Sequence, residues 1–447
     1  MQKLFGTDGI RGTAGEFPLD DRTLIVIGAA LARHFGAKAG RGPRFITGRD
    51  TRESGLEIEE AIHSGAASQG GRCESAGVIT TPGVAFLTAR DGFDAGLVIS
   101  ASHNPFEDNG IKVFLPDGRK LDETDERAIE ADIFRELDGG FAAERVEIAA
   151  NDAGFREEYI DHLLEKVPGL RLCGMRIVVD CANGAASGIA EELLARLDAS
   201  AVAINNRPDG RNINKDCGSM HLEHLQDAVR KQGADLGVAF DGDADRALFV
   251  DETGEIVDGD AVLWILGRRL HRQGRLAGDK VVATVMSNIG LEIAFRSIDV
   301  ELVRTAVGDK YVLDELLRTG ASIGGEQSGH IIVPANGLVG DGLMTMLMLL
   351  EALAEADLAL SRMRDGFKRF PQVLVNVPVR EKRPFESVPE IAAAAESVER
   401  EIDGTGRLLL RYSGTENLAR VMIEGPEQAL IEAQANRLAE VIRSTIG

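Results

Sequence analysis

Residues 236–246 read LGVAFDGDADR, an apolar run that ends abruptly in an acidic turn. A short apolar run bounded by turn residues predicts a buried strand. Asp241, Asp243 and Asp245 alternate with small residues directly after that strand and are followed by Arg246. Open α/β sheets bind their ligands at the ends of such strands. This stretch therefore predicts an α/β fold with a site at the acidic turn.

The same alternation of strands and helices recurs on both sides of this stretch. Predicted strands lie at 44–47, 76–79, 95–99, 176–179, 201–204, 236–240, 280–284, 301–304, 321–323, 373–379, 408–411 and 420–423. Predicted helices lie at 22–35, 57–68, 84–89, 185–197, 221–231, 291–297, 310–317, 389–402 and 428–446. The order predicts three α/β units with mixed, largely parallel sheets. The last segment, after Phe370-Pro371, predicts a smaller α+β domain.

Composition excludes several classes of protein. The 447 residues carry a formal charge of −22 without a basic stripe, which disfavours nucleic-acid binding. No apolar run is long enough to span a bilayer, and the N-terminal residues lack a signal-peptide pattern. The four cysteines show no CxxC spacing, which favours free thiols in a reducing compartment. We therefore expect a cytoplasmic protein without membrane or nucleic-acid partners.

The acidic turn is the strongest candidate for a metal site. Three neighbouring carboxylates without a cation would repel one another, and carboxylate oxygens are the ligands that Mg²⁺ prefers. Arg246 suits this turn if it also holds an anion that bridges to the metal. A solvated acidic turn is the alternative, and the preceding buried strand makes it the weaker one. The turn predicts a Mg²⁺ site.

A serine loop follows the strand at 95–99. Residues 100–105 read SASHNP, so Ser102 is presented at the end of a strand, beside a turn formed by Asn104 and Pro105. His103 can orient the hydroxyl of Ser102 or donate to an anion. A capping serine in an Asn-Pro turn explains the loop equally well when it is taken alone.

Two further loops suit a polyhydroxylated ligand and a phosphate, respectively. Residues 324–330 read GGEQSGH, in which Glu326, Ser328 and His330 can bind hydroxyl groups. Residues 411–417 read RYSGTEN, in which Arg411, Ser413, Gly414 and Thr415 supply guanidinium, hydroxyl and backbone donors for a phosphate. Taken singly, the first is better explained as a Gly-rich turn, and a hairpin turn is a credible alternative for the second. Lys112 and Arg11 add basic groups, although surface lysines and arginines are common.

Taken together and in this order, the motifs resemble the α-D-phosphohexomutase family. The resemblance covers essentially the whole chain. The shared motifs are FGTDGIRG at 5–12, GRDTRESG at 48–55, TTPG at 80–83, SASHNP at 100–105, DGDADR at 241–246, GEQSGH at 325–330 and RYSGTE at 411–416. Within the family, LFGTDGIRG, NKDCGS at 214–219, MSN at 286–288 and Gln327 resemble members that act on glucosamine phosphate.

The resemblance implies four domains around a central cleft. Their expected bounds are 1–155 for a phosphoserine-loop domain, 156–257 for a metal-binding domain, 258–369 for a sugar-recognition domain and 370–447 for a phosphate-binding domain. It also implies that Ser102 carries a phosphoryl group, whose oxygen binds Mg²⁺ together with Asp241, Asp243 and Asp245.

The resemblance assigns the remaining roles. Arg246 lies beside the phosphoserine, and Lys112 is a candidate proton shuttle. Glu326 and Ser328 contact sugar hydroxyls, with His330 near the reacting end. We include His103 and Arg11 among the expected catalytic residues. Arg411, Ser413, Gly414 and Thr415 bind the phosphate that does not react.

The implied reaction interconverts glucosamine 6-phosphate and glucosamine 1-phosphate through a 1,6-bisphosphate, for amino-sugar nucleotide and cell-wall precursor synthesis. The alternatives are a phosphomannomutase or phosphoglucomutase on the same scaffold, a Mg²⁺-dependent sugar phosphatase, or a sugar-phosphate sensor without catalysis. The expected partner is a sugar phosphate, and the sequence is compatible with a homodimer. Because the net charge repels anions, we expect a basic cleft, built from Arg11, Lys112, Arg246, Arg304, Lys310 and Arg411. We also expect a hinge at Phe370-Pro371.

Overall fold

The computed structural model describes residues 3–6, 8–141, 143–148, 154–402, 404–413 and 416–447. Its helices are α1 (Asp21–Ala39), α2 (Gly55–Ser68), α3 (Thr81–Arg90), α4 (Glu123–Gly139), α5 (Phe155–Glu165), α6 (Ala190–Arg196), α7 (Glu223–Gln232), α8 (Gly259–Arg272), α9 (Ile289–Arg296), α10 (Asp309–Thr319), α11 (Gly342–Ala356), α12 (Leu360–Met363), α13 (Pro389–Ile402) and α14 (Gln428–Ile446). Among these described helices, none has the length and apolar character needed to cross a bilayer.

The strands form four sheets. They are β1 (Phe5–Gly6), β2 (Gly9–Thr13), β3 (Arg44–Arg49), β4 (Arg72–Val78), β5 (Ala95–Ile99), β6 (Asp108–Phe114), β7 (Arg176–Asp180), β8 (Ser200–Ile204), β9 (Leu236–Phe240), β10 (Ala247–Asp251), β11 (Ile256–Val257), β12 (Lys280–Thr284), β13 (Glu301–Thr305), β14 (Gly324–Gly325), β15 (Ile331–Ile332), β16 (Gln372–Pro378), β17 (Arg407–Tyr412) and β18 (Leu418–Glu424). The sheet orders are β1-β2-β6-β5-β3-β4, β11-β10-β9-β7-β8, β13-β12-β14-β15 and β16-β18-β17.

The first sheet positions the serine loop. Its strand β5 is buried along its whole length and pairs in parallel with β3 and antiparallel with β6. A continuous apolar run such as AGLVI suits a strand that is covered on both faces. Since Ile99 pairs with Ile111 and Val98 with Lys112, the loop that follows β5 begins beside the part of β6 that carries Lys112.

The second sheet positions the acidic turn. Its strand β9, the LGVAF run, is buried at every residue. It pairs in parallel with β7 and antiparallel with β10, and Phe240 pairs with Ala247 across the turn. The predicted strand at 236–240 is confirmed, and the three aspartates lie in the tight connection between β9 and β10.

The mixed α/β sheets expected from the sequence are confirmed. Parallel strands form one side of each of the first two sheets, out to the edge strands β4 and β8, and antiparallel strands form the other side. Most predicted elements are present within a few residues of their expected ends. Two differ: the predicted helix at 185–197 begins as a 3₁₀ turn at Ala185–Gly188 before α6, and the strand predicted at 321–323 is instead β14, at Gly324–Gly325. The second shift has a physical reason, because a Cβ at Gly324 would lie 2.9 Å from Val282 of β12 and one at Gly325 would lie 2.6 Å from the carbonyl oxygen of His330, so larger residues would not fit.

The chain forms two compact units. The first contains residues 1–286 and 303–365, and the second contains residues 287–302 and 366–447. In the second unit α13 and α14 pack on the antiparallel sheet, with Val421, Ile391 and Leu438 in its core. The expected hinge residue Phe370 lies inside this unit, where its backbone exchanges two hydrogen bonds of 2.9 and 3.0 Å with the side chain of Asn288. Its boundary falls between Asp365 and Gly366.

Candidate active site

The side chain of Ser102 faces the acidic turn. Ser102 is buried and adopts a left-handed backbone with φ 52°, which turns the chain sharply after β5. Its Oγ donates a hydrogen bond of 2.5 Å to Oδ2 of Asp241, and Nδ1 of His103 lies 3.3 Å from the same Oγ. Burial, followed by Arg246 and Arg11, lowers the pKa of His103 to about 4, so the imidazole is neutral at pH 7. The serine and the acidic turn therefore meet, as the sequence predicts.

Two side chains that the sequence interpretation did not assign hold the serine loop in place. Arg52 donates to the carbonyl oxygens of Ser102 and Asn104 at 3.0 and 2.9 Å, and Asn214 donates to the same two oxygens at 2.8 and 3.0 Å. Arg52 is itself fixed by Asp50, at 2.9 Å. Arg52 lies in the GRDTRESG motif and Asn214 in the NKDCGS motif. Both residues were therefore part of the family motifs, although residue spacing did not show that they hold the serine loop.

The three aspartates form a compact group of buried carboxylates. Asp241, Asp243 and Asp245 are at most 4% exposed, and one oxygen from each lies within 4.8 Å of the others. Oδ1 of Asp243 and Oδ1 of Asp245 are buried, and no hydrogen bond reaches either atom from the described residues. Buried carboxylate oxygens without donors are costly unless a cation balances them. The triad thus has the donor set and the unsatisfied oxygens of a metal site.

Lys112 is buried beside this triad. Its Nζ is 2.8 Å from Asp243, 3.1 Å from Asp245 and 3.3 Å from Asp8, and the side chain is 1% exposed. Burial by itself lowers the pKa of Lys112, but the three carboxylates together raise it well above its ordinary value. Lys112 therefore carries a proton next to the acidic turn.

The loop with Glu326 and His330 lies in the same cleft. Nδ1 of His330 is 3.6 Å from Asp245, and its Nε2 accepts a hydrogen bond of 3.0 Å from the backbone of Gly340. Glu326 accepts a hydrogen bond of 3.1 Å from the backbone of Gly308. The Oγ of Ser328 is buried without a hydrogen bond from the described residues. Arg246 donates its backbone N–H to Asp241 at 3.1 Å and leaves its side chain facing the cleft.

The cleft has a volume of about 1480 Å³, which includes open solvent. Its walls are not purely basic. The basic residues are Lys3, Arg11, Lys120, Arg246 and Lys310, and the acidic residues are Asp8, Glu123, Glu126, Asp245, Asp309 and Glu326. The expectation of a simply basic cleft is therefore wrong for this unit, because acidic residues pair with most of its cations. Arg11, for example, pairs with Asp8.

The second unit contains the expected phosphate-binding loop. Arg411 and Arg420 are directly opposite each other on β17 and β18. Within the described part of the chain, no carboxylate lies within 4.0 Å of Arg411, and burial together with Arg420 lowers the pKa of Arg411. Ser413 lies beside them, and Lys382 donates to its carbonyl oxygen at 2.7 Å. The expected ligands Gly414 and Thr415 lie outside the described residues.

Four family models match the chain in sequence order. They are the phosphoglucomutase/phosphomannomutase alpha/beta/alpha domains I (2–139), II (157–254) and III (258–370) and the C-terminal domain (374–441). A protein of Solibacter usitatus named phosphoglucosamine mutase is 48% identical over 444 residues, which cover 99% of each chain. One of the same name from Koribacter versatilis is 46% identical, covering 100% of this chain and 98% of the relative. The chain belongs to the phosphoglucomutase/phosphomannomutase family.

Solved structures of the family have the same fold. A family protein from Burkholderia thailandensis superposes with a TM-score of 0.80 at 24% identity, covering 100% of this chain and 98% of that one. An N-acetylphosphoglucosamine mutase from Aspergillus fumigatus, solved with GlcNAc-6P and magnesium, superposes with a TM-score of 0.69 at 19% identity, covering 99% of this chain and 96% of that one. These structures show the fold, whereas the family models and the full-length relatives confirm the resemblance inferred from the sequence motifs. The roles of individual residues stay predictions.

Proposed function

We propose that this chain interconverts glucosamine 6-phosphate and glucosamine 1-phosphate, using Ser102 as the carrier of the phosphoryl group. The chain is a phosphohexomutase, an enzyme of the isomerase class, and its full-length relatives at 43–48% identity are named phosphoglucosamine mutase. The observation that carries the proposal is the 2.5 Å hydrogen bond between Ser102 and Asp241. It joins a strand-end hydroxyl to a group of three carboxylates, the combination that a reversible phosphoryl carrier requires.

The reaction proceeds in two transfers that leave the enzyme unchanged. In the first, the O1 hydroxyl of glucosamine 6-phosphate attacks the phosphoryl group on Ser102. The bond from Oγ to phosphorus breaks, a bond from O1 to phosphorus forms, the O1 proton passes to a base, and Oγ takes up a proton. After the bisphosphate turns over, Oγ gives up that proton and attacks the 6-phosphoryl group, the bond from O6 to phosphorus breaks, and O6 takes up a proton. Glucosamine 1-phosphate leaves.

Mg²⁺ fits the acidic turn as the cation of this reaction. Asp241, Asp243 and Asp245 would hold it together with a phosphoryl oxygen on Ser102, since hard carboxylate oxygens suit it. When bound, it supplies positive charge to the phosphoryl oxygens. Lys112 and Arg246 supply further positive charge beside the triad, which lowers the repulsion between the phosphoryl group and the three carboxylates.

The remaining residues of the cleft have roles that match their positions. Lys112 is the proposed proton shuttle, and His330 is proposed to act near the attacking hydroxyl. Glu326 and Ser328 offer an acceptor and a hydroxyl for the sugar. Arg11 and His103 line the same cleft on the Ser102 side. These groups can orient a sugar while the phosphoryl group is transferred.

We further propose a cytoplasmic location, since the four cysteines are free thiols and the substrate is a metabolic sugar phosphate. The predicted domain bounds at 155, 257 and 369 and the homodimer stay predictions. For the homodimer, sedimentation of the purified chain provides the direct test.

The test combines mass spectrometry and kinetics. The purified protein should carry one phosphoryl adduct on Ser102. Ser102→Ala should abolish turnover because it removes the carrier, whereas Ser68→Ala, at an exposed serine on α2, should leave turnover unchanged. Comparison of kcat/KM for the 6-phosphates of glucosamine, glucose and mannose identifies the substrate. Substantial mutase activity of Ser102→Ala would refute the proposal, and steady release of inorganic phosphate by this variant would indicate a phosphatase.

A further inference from the structure

Lys120 has no role in the mechanism above, although its side chain lies in the cleft. A tight hairpin places it there: the chain turns at Gly118, with φ 82°, and Lys120 forms a bridge with Phe114 at the end of β6. The next residue continues the hairpin, since Leu121 donates to the carbonyl oxygen of Val113 at 3.0 Å. Lys120 is thus held by the same strand that carries Lys112.

Lys120 binds two carboxylates that come from distant parts of the sequence. Its Nζ donates to Oδ2 of Asp309 at 2.5 Å and also to Oδ1 of Asp8. Asp8 belongs to the N-terminal GTDGIRG motif, whereas Asp309 is the first residue of α10. Burial by itself would raise the pKa of both carboxyls, yet the neighbouring cations, Lys120 among them, hold the pKa of each below its ordinary value. Lys120 therefore neutralises two aspartates that would otherwise repel each other.

These contacts belong to a ring of six neighbouring side chains, in which His330 contacts Asp309 without forming an ion pair because its Nε2 accepts the N–H of Gly340. The ring runs from Lys112 to Asp8 (3.3 Å), to Lys120, to Asp309 (2.5 Å), to His330 (3.6 Å), to Asp245 (3.6 Å) and back to Lys112 (3.1 Å). Three of its members, Lys112, Asp245 and His330, belong to the proposed active site. The other three only connect them.

We propose that Lys120 is a positioning residue, which closes this ring and thereby holds Lys112 and His330 in their working orientations beside Asp245. The proposal rests on the proposed function, because it assigns a role within the same site. Without the ammonium group, Asp8 and Asp309 lose the cation that separates them. The negative charge of Asp8 then acts more strongly on Lys112, and that of Asp309 on His330. Lys112 and His330 therefore shift, while the substrate-binding surface of the cleft stays in place.

This arrangement predicts a specific kinetic pattern. Lys120→Met keeps the length of the side chain and removes its charge, so kcat should fall at least roughly tenfold while KM changes by less than about threefold. Lys120→Arg should recover part of the loss, since a guanidinium group can also bridge two carboxylates. Lys231→Met, at an exposed surface lysine on α7, is the control and should behave as wild type. Thermal unfolding of each variant shows whether the fold is intact.

A double-mutant cycle tests whether Lys120 acts through Asp309. Asp309→Asn, which leaves Lys120 paired with Asp8, should also lower kcat, and it serves as the test if Lys120→Met does not fold. The double variant should be no slower than the slower single variant, because both changes open the same ring. Multiplying effects, or wild-type kcat in Lys120→Met, would overturn the proposal.

The substrate panel separates this proposal from the proposed function. The ring acts on phosphoryl transfer, so the loss in kcat should appear with whichever 6-phosphate of glucosamine, glucose or mannose the wild type converts. Loss of kcat with a substrate other than glucosamine 6-phosphate would support the ring and refute the glucosamine assignment. A wild type that converts none of the three would overturn both.

Discussion

At the scale of single residues, Arg411 and Arg420 form a pair of like charges on neighbouring strands. Two guanidinium groups directly opposite each other on paired strands are destabilising unless an anion lies between or beside them. Arg420 has Glu416 at 3.5 Å, whereas within the described part of the chain no carboxylate lies within 4.0 Å of Arg411. A substrate phosphate would supply the missing negative charge.

We therefore expect Arg411→Ala to raise KM for the sugar phosphate by at least roughly tenfold, because the variant loses a pair of charge-assisted hydrogen bonds to the phosphate. Arg420→Ala should raise KM less, because part of its charge is already balanced by Glu416. Steady-state kinetics measure both effects, and Arg400→Ala on the exposed face of α13 is the control. An unchanged KM in Arg411→Ala would contradict the assignment.

At the scale of secondary-structure elements, the first residue of α11 packs against the acidic turn. This residue, Gly342, donates its N–H to the carbonyl oxygen of Ala244 at 3.0 Å, and a Cβ there would lie 2.6 Å from the carbonyl oxygen of Arg246. Only glycine allows this close approach. The helix is capped by Asp341, which accepts from Met344 N–H at 2.9 Å and from the hydroxyl of Tyr159 at 2.8 Å.

The cap makes the stability of the first unit depend on pH. Burial raises the pKa of Asp341 to about 6, although its hydrogen bonds oppose the shift. A carboxyl whose folded pKa is raised contributes most below its unfolded pKa and loses that contribution as pH rises through the folded value. For a shift of about two units the change is roughly 3 kcal/mol between pH 4 and pH 7.

Asp341→Asn retains a capping oxygen and cannot ionise. Its free energy of unfolding, relative to wild type, should therefore rise by up to roughly 3 kcal/mol from pH 4 to pH 7. Urea denaturation across this range measures the difference. Asp357→Asn, at the exposed C-terminal cap of the same helix, is the control, and a difference that does not change with pH would refute the assignment.

At the scale of the whole molecule, the second unit takes residues from two separated parts of the chain. Asn288 joins them: its side chain exchanges hydrogen bonds with the backbone of Phe370, caps Gly290 at 3.0 Å and donates to the buried Glu424 at 3.0 Å. Glu424 is also paired with Arg407. The segment 287–302 is therefore part of the same structural unit as the C-terminal residues.

Asn288→Ala should selectively destabilise this unit, by roughly 2–4 kcal/mol, because it removes buried hydrogen bonds and leaves Glu424 less well satisfied. Hydrogen exchange should accelerate in β18 and α14 and stay unchanged in β9 of the first unit. Asn376→Ala, at an exposed position on β16, is the matched control. Equal acceleration in both units would show that they unfold together.

The elements that periodicity predicted well are those with a continuous local signal. The runs AGLVI and LGVAF are buried strands as predicted, and the helices 389–402 and 428–446 have the expected bounds. The strand predicted at 321–323 lies instead at Gly324–Gly325, because its position depends on the narrow space between β12 and β15, which only glycines fit. The hinge expected at Phe370-Pro371 stays a prediction, and a Phe-Pro pair does not reveal the hydrogen bonds between Phe370 and Asn288.

The candidate site divides in the same way. Local patterns pointed to the three aspartates as a metal site, whereas the roles predicted for Ser102 and for the loops around Glu326 and Arg411 came from the order of the family motifs. Arg52, Asn214, Lys120 and Asp309 could not be assigned from spacing, since their partners are 50 to 189 positions away in the chain.

The sequence by itself predicted the α/β class from the alternation of strands and helices, and the family from the order of its motifs. It also indicated the chemistry of the loops, because this depends on which residue types follow a strand end. Folding alone decided which charges face each other: Lys112 is enclosed by three carboxylates, and Lys120 joins one of them, Asp8, to Asp309. Electrostatic interactions act through space over a few ångströms, so such pairings are set by the packing of distant segments.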